Sequence, residues 1–146
     1  EHVLEAAGMR HYETSNYARE GCQSPHNMAY WKGEDYVGIG PGAVSTINGM
    51  RYSNTRDTDA YIRSTLENGL PLSEQEPVTA EDYRLERIAL MLRTDEGLPL
   101  KYILPESRPL LEQYRELGLA DISPEQRLIL KGRGRLLVDA IAAELC

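Results

Sequence analysis

HNMAYWKGEDYVGIGPGAVS, residues 26–45, crowds a histidine, an aromatic pair and a glycine cluster into one segment as nowhere else in the chain. Tyr36-Val37-Gly38-Ile39 is a short apolar run with β-branched members. Gly40-Pro41-Gly42-Ala43 follows it directly, which predicts a buried strand leading into a tight turn. Glycine at 38, 40 and 42 removes side chains from the backbone, permitting positive φ and the close approach of a ligand or a neighbouring strand. The phosphate-cradling pattern G-x-G-x-x-G opening a helix is not met. The glycines alternate, Pro41 intervenes, and Val44-Ser45-Thr46-Ile47 reads as a second strand. On the residues alone the turn is either structural or ligand-lining. Short strands are expected at 36–39, 43–47 and 50–53, the last two joined by the two-residue hairpin signal Asn48-Gly49.

Upstream, Glu1 opens directly on Val3-Leu4 and Ala6-Ala7, so the chain is expected to begin inside a helix of a longer protein, with Gly8 as its C-cap. Met9 to Tyr17 mixes aromatic, threonine and charged residues in the manner of a strand, and helix followed by strand is the repeating unit of an α/β barrel. Residues 18–25, AREGCQSP, read as a polar loop carrying Cys22. A lone histidine such as His26 is more often a hydrogen-bonded structural residue than a ligand. Beside it stand Asn27, Tyr30 and Trp31. Rings with polar tips suit a flat, partly polar macrocycle or a nucleoside, and equally well seal the end of a barrel.

Tyr12-Glu13-Thr14-Ser15-Asn16-Tyr17-Ala18, then His26-Asn27-x-x-Tyr30-Trp31, then Gly38-Ile39-Gly40-Pro41-Gly42-Ala43 keep an order that resembles the C-terminal half of the radical S-adenosylmethionine proteins related to oxygen-independent coproporphyrinogen III oxidase. Within that family the YETSNYA stretch is most similar to the heme chaperone (HemW-type) branch, since the oxidase branch carries an Asp-His pair where Ser15-Asn16 stand. The resemblance implies reductive cleavage of S-adenosylmethionine at a [4Fe-4S] cluster, or transfer of heme to a recipient protein. It assigns Gly38, Gly40, Ala43 and Val44 to the cofactor side. Glu13, Asn16, His26, Asn27, Tyr30 and Trp31 fall on the heme or substrate side. In the oxidase branch an isoleucine contacting S-adenosylmethionine occupies the position of Val44, whereas the chaperone branch commonly has histidine there. Val44 keeps the apolar role, which makes His26 the candidate heme residue. The family's Cys-x3-Cys-x2-Cys motif does not occur in this sequence, so the cluster ligands are expected upstream of Glu1, and the chain alone is expected to be inactive. The alternative activity within the family is decarboxylation of two porphyrinogen propionates.

Composition narrows the remaining classes. The net charge of −7 is concentrated in residues 56–100, which carry ten acidic and five basic side chains. Counterion release needs clustered positive charge, so neither nucleic acid nor an anionic membrane is expected as a partner. No apolar run approaches the ~20 residues of a membrane span. Cys22 and Cys146 are too few for a disulfide framework, and a reduced, cytoplasmic setting is the expectation.

The expected fold is α+β: residues 1–55 as the last strands and helix of a partial (β/α) radical barrel with site-lining loops, and residues 56–146 as a mostly helical, winged-helix-like domain. Thr58 is the expected cap of a helix presenting Tyr61, Ile62 and Leu66 and ended by Asn68-Gly69. Residues 70–78 read as a connector. Thr79 opens a longer helix with the stripe Leu85, Ile88, Ala89 and Leu92. A helix over about 107–117 presents Leu110, Leu111, Tyr114 and Leu117 and is closed by Gly118. A hairpin of 119–122 and 127–130 follows, then a last helix carrying Leu137, Val138, Ile141 and Leu145. Lys131, Arg133 and Arg135 at its start do not form a recognition face, so packing or partner docking is the expected role of this module rather than DNA binding.

Overall fold

The computed structural model describes residues 2–67 and 69–146. In chain order the elements are α1 (His2–Ala6), β1 (Arg10–Glu13), β2 (Asn16–Ala18), α2 (Pro25–Lys32), β3 (Val44–Ile47), β4 (Met50–Asn54), α3 (Thr58–Leu66), β5 (Leu72–Pro77), α4 (Ala80–Met91), β6 (Leu98–Pro99), α5 (Arg108–Glu116), β7 (Ala120–Ile122), β8 (Arg127–Leu130), α6 (Arg133–Leu136) and α7 (Val138–Leu145). Short 3-10 turns at Leu100–Tyr102 and Pro105–Ser107 lie between β6 and α5. This is an α+β chain. It packs as two units, one made of the residues up to Gly33 together with Arg84–Cys146, the other of Glu34–Tyr83. The boundary expected near 54–57 lies inside the second.

The first unit holds the apolar core. Strand β8 alternates, with Leu128 and Leu130 inside, and it lies between β6 and β7 in an antiparallel sheet of order β6-β8-β7. The i, i+3, i+4, i+7 spacing on α4 brings Ile88 and Leu92 into the same core. Leu111 and Tyr114 from α5 join them, with Val138, Ile141 and Leu145 from α7. Leu117 and Leu137, expected on the inward faces, are instead 63% and 41% exposed. Both sit at helix ends, where the chain is already turning away from the stripe. Tyr114 reaches the rim, its hydroxyl donating to Glu144 at 2.5 Å. Burial and that carboxylate hold the phenol well above its ordinary pKa, so it remains a donor. Strand β6 was not expected at all: two residues, one of them Pro99, carry no period to read.

Residues 9–17 form a hairpin rather than one strand, with β1 and β2 antiparallel. The reversal is local chemistry: the Glu13 carboxylate accepts from the Ser15 N–H at 2.9 Å and from the Asn16 side-chain amide. Gly8 does end α1, the Gly8 N–H reaching Glu5 O and the Met9 N–H reaching Leu4 O, the paired bonds of a Schellman motif.

The second unit is a three-stranded antiparallel sheet, β3-β4-β5, with α3. Asn48 and Gly49, at φ 50° and 73°, make the expected tight turn between β3 and β4. Three expectations need correction here. Tyr36–Ile39 is not a buried strand: only Tyr36 bridges to Thr46, while Val37 and Ile39 are 67% and 87% exposed. The helix cap is Asp57, whose carboxylate accepts from the Ala60 N–H at 2.7 Å, not Thr58. Residues 72–77 pair with β4 as an edge strand rather than serving as a connector. All six are exposed, so no alternation marks them. Asn68, expected to help end α3, lies outside the described residues. Among the described residues of this unit, only Ser45 and Asn54 are buried, and both are polar.

Thr79 opens α4 as a capping box: its hydroxyl accepts from the Asp82 N–H at 3.1 Å and donates to Asp82 Oδ2 at 2.6 Å. These bonds hold the Asp82 carboxyl below its ordinary pKa. A depressed folded pKa contributes stability above the unfolded value and loses it as pH falls through the folded one. Thr79→Ala is therefore expected to lower the unfolding midpoint at neutral pH and to flatten its decline on the acid side, as measured by thermal melts across the carboxylate titration range. Leu128→Ala, at a fully buried position, is expected to cost about 3 kcal/mol in chemical denaturation.

Candidate functional site

The sequence-predicted residues fall into two sets, one in each unit. In the first unit, Tyr12 and Glu13 end β1 and are 4% and 1% exposed. The hairpin is anchored to the turn after α4: the Asp95 N–H donates to Tyr12 O at 3.0 Å, the Thr14 N–H donates to Arg93 O at 2.9 Å, and Glu13 bridges to Thr94. The Glu13 carboxylate is thus spent inside its own turn, drawing in Asn16. His11 stacks on Tyr17 across the hairpin, ring centroids 4.4 Å apart.

Tyr12 also reaches the next element. Its hydroxyl accepts from the Ser24 N–H at 3.4 Å, and Ser24 is the N-cap of α2, its own side chain accepting from the Asn27 N–H. The Ser24-Pro25 pair, an N-cap followed by proline at the first helical position, is the signal that would have placed this helix from sequence. At its other end the Arg87 guanidinium, nine-tenths buried, donates to Lys32 O, and Lys32 pairs with Glu96 at 2.8 Å. α2 is therefore held at both ends.

On α2, His26 and Tyr30 stand at i and i+4 and share a face, as do Asn27 and Trp31 on an adjoining one. His26 is exposed and Tyr30 is 46% exposed. Tyr30 and Trp31 meet edge to face, centroids 5.5 Å apart. An accessible imidazole beside aromatic rings is an arrangement that can ligate a metal centre through nitrogen while the rings pack on a planar group.

The second set, Gly38, Gly40, Ala43 and Val44, forms the loop into β3. Its backbone is pinned by side chains that the sequence reading left out. The Gly38 N–H donates to Ser45 Oγ at 3.0 Å and the Gly40 N–H to the Tyr61 hydroxyl at 3.1 Å. The Asn54 amide donates to Gly40 O at 3.0 Å and more weakly to Gly38 O at 3.4 Å. A Cβ at Gly38 would collide with Val44 O, so glycine there serves the packing of the loop on itself. Gly40, at φ +113°, requires glycine for its backbone, yet a Cβ on it would meet nothing within 4 Å. Space is open above this residue. Val44 pairs with Ser53 and is half-buried. The expected strand ends at residue 53, short of Asn54, and Tyr61 is expected on an apolar helix face. A polar residue closing a strand was the available signal for the first.

Among the described residues no group of three histidine, cysteine or acidic side chains is placed to hold a metal ion, and both cysteines are free and exposed. The residues present do not fit a thiolate-held iron–sulfur cluster.

No protein-family model matches the chain. By sequence it is 37% identical over 142 residues to heme chaperone HemW of Mycobacterium tuberculosis, covering 97% of this chain and 36% of that protein. HemW of Bacillus subtilis is 39% identical over 98 residues, covering 67% of this chain and 26% of that protein. The chain thus spans about a third, or less, of the length of these relatives. In structure it is similar to coproporphyrinogen III oxidase (HemN) from Escherichia coli, a radical SAM enzyme, with TM-score 0.70 and 20% identity, over 99% of this chain and 38% of that one. By sequence the chain resembles the proteins named heme chaperone HemW across 97% of its length, and its fold is that of the coproporphyrinogen III oxidase HemN.

Proposed function

We propose that this chain is the C-terminal portion of a radical S-adenosylmethionine heme chaperone, which binds heme and passes it to a recipient protein in the cytoplasm. The observation carrying the reading is the similarity to proteins named heme chaperone across 97% of the chain. Within it, the first 55 residues contribute strands and loops to the end of the radical barrel. The order α4, β6, α5, β7, β8, with β8 central in its sheet, supports a winged-helix-like module in the remainder.

The roles divide by residue. His26, accessible in the first turn of α2, is the heme ligand, and Tyr30 and Trp31 pack against the macrocycle. Asn27 stands beside them on α2, while Glu13 and Asn16 shape the hairpin behind it. The Gly38–Val44 loop would hold S-adenosylmethionine, with the side-chain-free backbone at Gly40 allowing close approach and Val44 offering an apolar contact. When bound, that cofactor supplies a radical on reduction. The chain's own residues shape and orient the surface it rests on. The cluster is held by cysteines outside this sequence, as the free, exposed Cys22 and Cys146 do not provide its ligands.

Hemin titration of the full-length protein tests this. The wild type is expected to bind, and His26→Ala to lose at least about tenfold in affinity with a changed heme spectrum, the loss of an axial nitrogen ligand. Unchanged affinity and spectrum would remove His26 from the site. Robust anaerobic conversion of coproporphyrinogen III to protoporphyrinogen would replace the chaperone reading with the oxidase one.

A further inference from the structure

We infer that Asn54 is a positioning residue for S-adenosylmethionine, fixing the Gly38–Ala43 loop through three carbonyl groups of that loop. The inference rests on the reading of the loop as the cofactor-lining surface. Asn54 is 9% exposed. Its side-chain nitrogen donates to Gly40 O at 3.0 Å and Gly38 O at 3.4 Å, and its backbone N–H donates to Ala43 O at 2.9 Å. One residue at the end of β4 therefore gathers the carbonyls at both sides of the Gly40 turn.

The surroundings make this bond set decisive. No apolar side chain among the described residues of this unit is buried, so side-chain packing does little to fix the loop. Val37 and Ile39 point largely to solvent, at 67% and 87% exposed. What remains is hydrogen bonding: the Gly42 N–H to Thr55 O at 2.9 Å, the Ala43 N–H to Gly40 O at 3.2 Å, and the side chains of Ser45, Asn54 and Tyr61. Asn54 contributes two side-chain bonds to it, while Ser45 accepts from Gly38 and Tyr61 from Gly40. A buried amide nitrogen used in this way favours one backbone geometry, and its loss removes the side-chain donor from Gly38 O and leaves Gly40 O with the Ala43 N–H at 3.2 Å. The amide orientation follows from the bonds themselves, since two carbonyl oxygens require the nitrogen, not the oxygen, of the side chain. Aspartate at this position keeps the shape and replaces the donor with a charge facing two carbonyls.

The test uses the full-length protein with its cluster reconstituted anaerobically. S-adenosylmethionine affinity is measured by equilibrium dialysis for wild type, Asn54→Asp and Tyr61→Phe at about pH 8 and about pH 6. A carboxyl buried against carbonyls has a raised pKa and regains a donor when protonated. Amide exchange over residues 37–43 is followed with and without S-adenosylmethionine, and hemin affinity serves as the control. The cofactor is expected to slow exchange of this loop in the wild type. Asn54→Asp is expected to weaken S-adenosylmethionine about tenfold at the higher pH, with a smaller deficit at the lower one, and to leave hemin affinity unchanged. A defect of the whole fold would lower hemin affinity as well. If the wild-type loop is protected but Asn54→Asp binds within about twofold of wild type at both pH values, the positioning role is overturned and the cofactor reading stands. If the wild-type loop gains no protection, that reading fails and takes the positioning role with it. Should Asn54→Asp not fold, Tyr61→Phe carries the test: weaker cofactor binding with unchanged hemin binding supports a pegged loop, and unchanged cofactor binding overturns it.

Discussion

The first unit depends on the alternation of β8. With Leu128 and Leu130 fully or almost fully buried and hydrogen-bonded partners on both sides, this strand is where two packing directions meet: the ladder to β6 and β7, and the apolar contact with α4, α5 and α7. Removing either direction exposes the other. Ile88 and Leu92 fix α4 against this strand, which sets the position of the turn at 92–97. That turn receives the β1-β2 hairpin through Arg93 O, Thr94 and the Asp95 N–H. Tyr12 carries the placement on to the N-cap of α2. A continuous chain of contacts thus runs from the core to the helix that presents His26, and no link in it is a long surface side chain.

The second unit is built on the opposite principle. Among its described residues the buried side chains are Ser45 and Asn54, and larger apolar ones such as Ile62, Leu66 and Leu70 stand 48%, 77% and 80% exposed. Burial of apolar area contributes little to its order, which rests on antiparallel ladders and on side chains that satisfy the loop's backbone groups. This explains why the glycines alone were a poor guide. Gly38 and Gly40 look like a ligand cradle in sequence, but Gly38 exists because Val44 O approaches too closely for any Cβ. Of the glycines at 38, 40 and 42, only Gly40 combines a positive φ with no atom within 4 Å of an added Cβ.

How much of this was legible follows from which forces leave a periodic trace. The α4 stripe, α5, α7 and the β7-β8 pair were readable because burial selects apolar residues at fixed spacing. Asn48-Gly49 was readable because its turn type demands particular residues. Strand β5 left no trace, since an edge strand with both faces exposed has no inside to mark. The hairpin at 10–18 was read as one strand because its reversal depends on the Glu13 carboxylate accepting from residues two and three positions on, a pairing that hydropathy does not register. Tyr36–Ile39 shows the converse: its apolar, β-branched letters suggest burial, whereas Val37 and Ile39 are exposed in a loop pinned through polar groups.

The same contrast bears on the candidate site. The residues assigned to heme and those assigned to S-adenosylmethionine belong to units held by different physics, one by apolar packing and capped helix ends, the other by a few buried hydrogen bonds. A substitution that opens the first core acts on α2 through the 92–97 turn. A substitution at Ser45, Asn54 or Tyr61 acts on the glycine loop alone, because each of those bonds begins and ends within residues 38–61. On the proposed reading the residues assigned to heme and those assigned to S-adenosylmethionine are separable by mutation, and the sensitivity of the glycine loop to single polar changes follows from how few bonds define it.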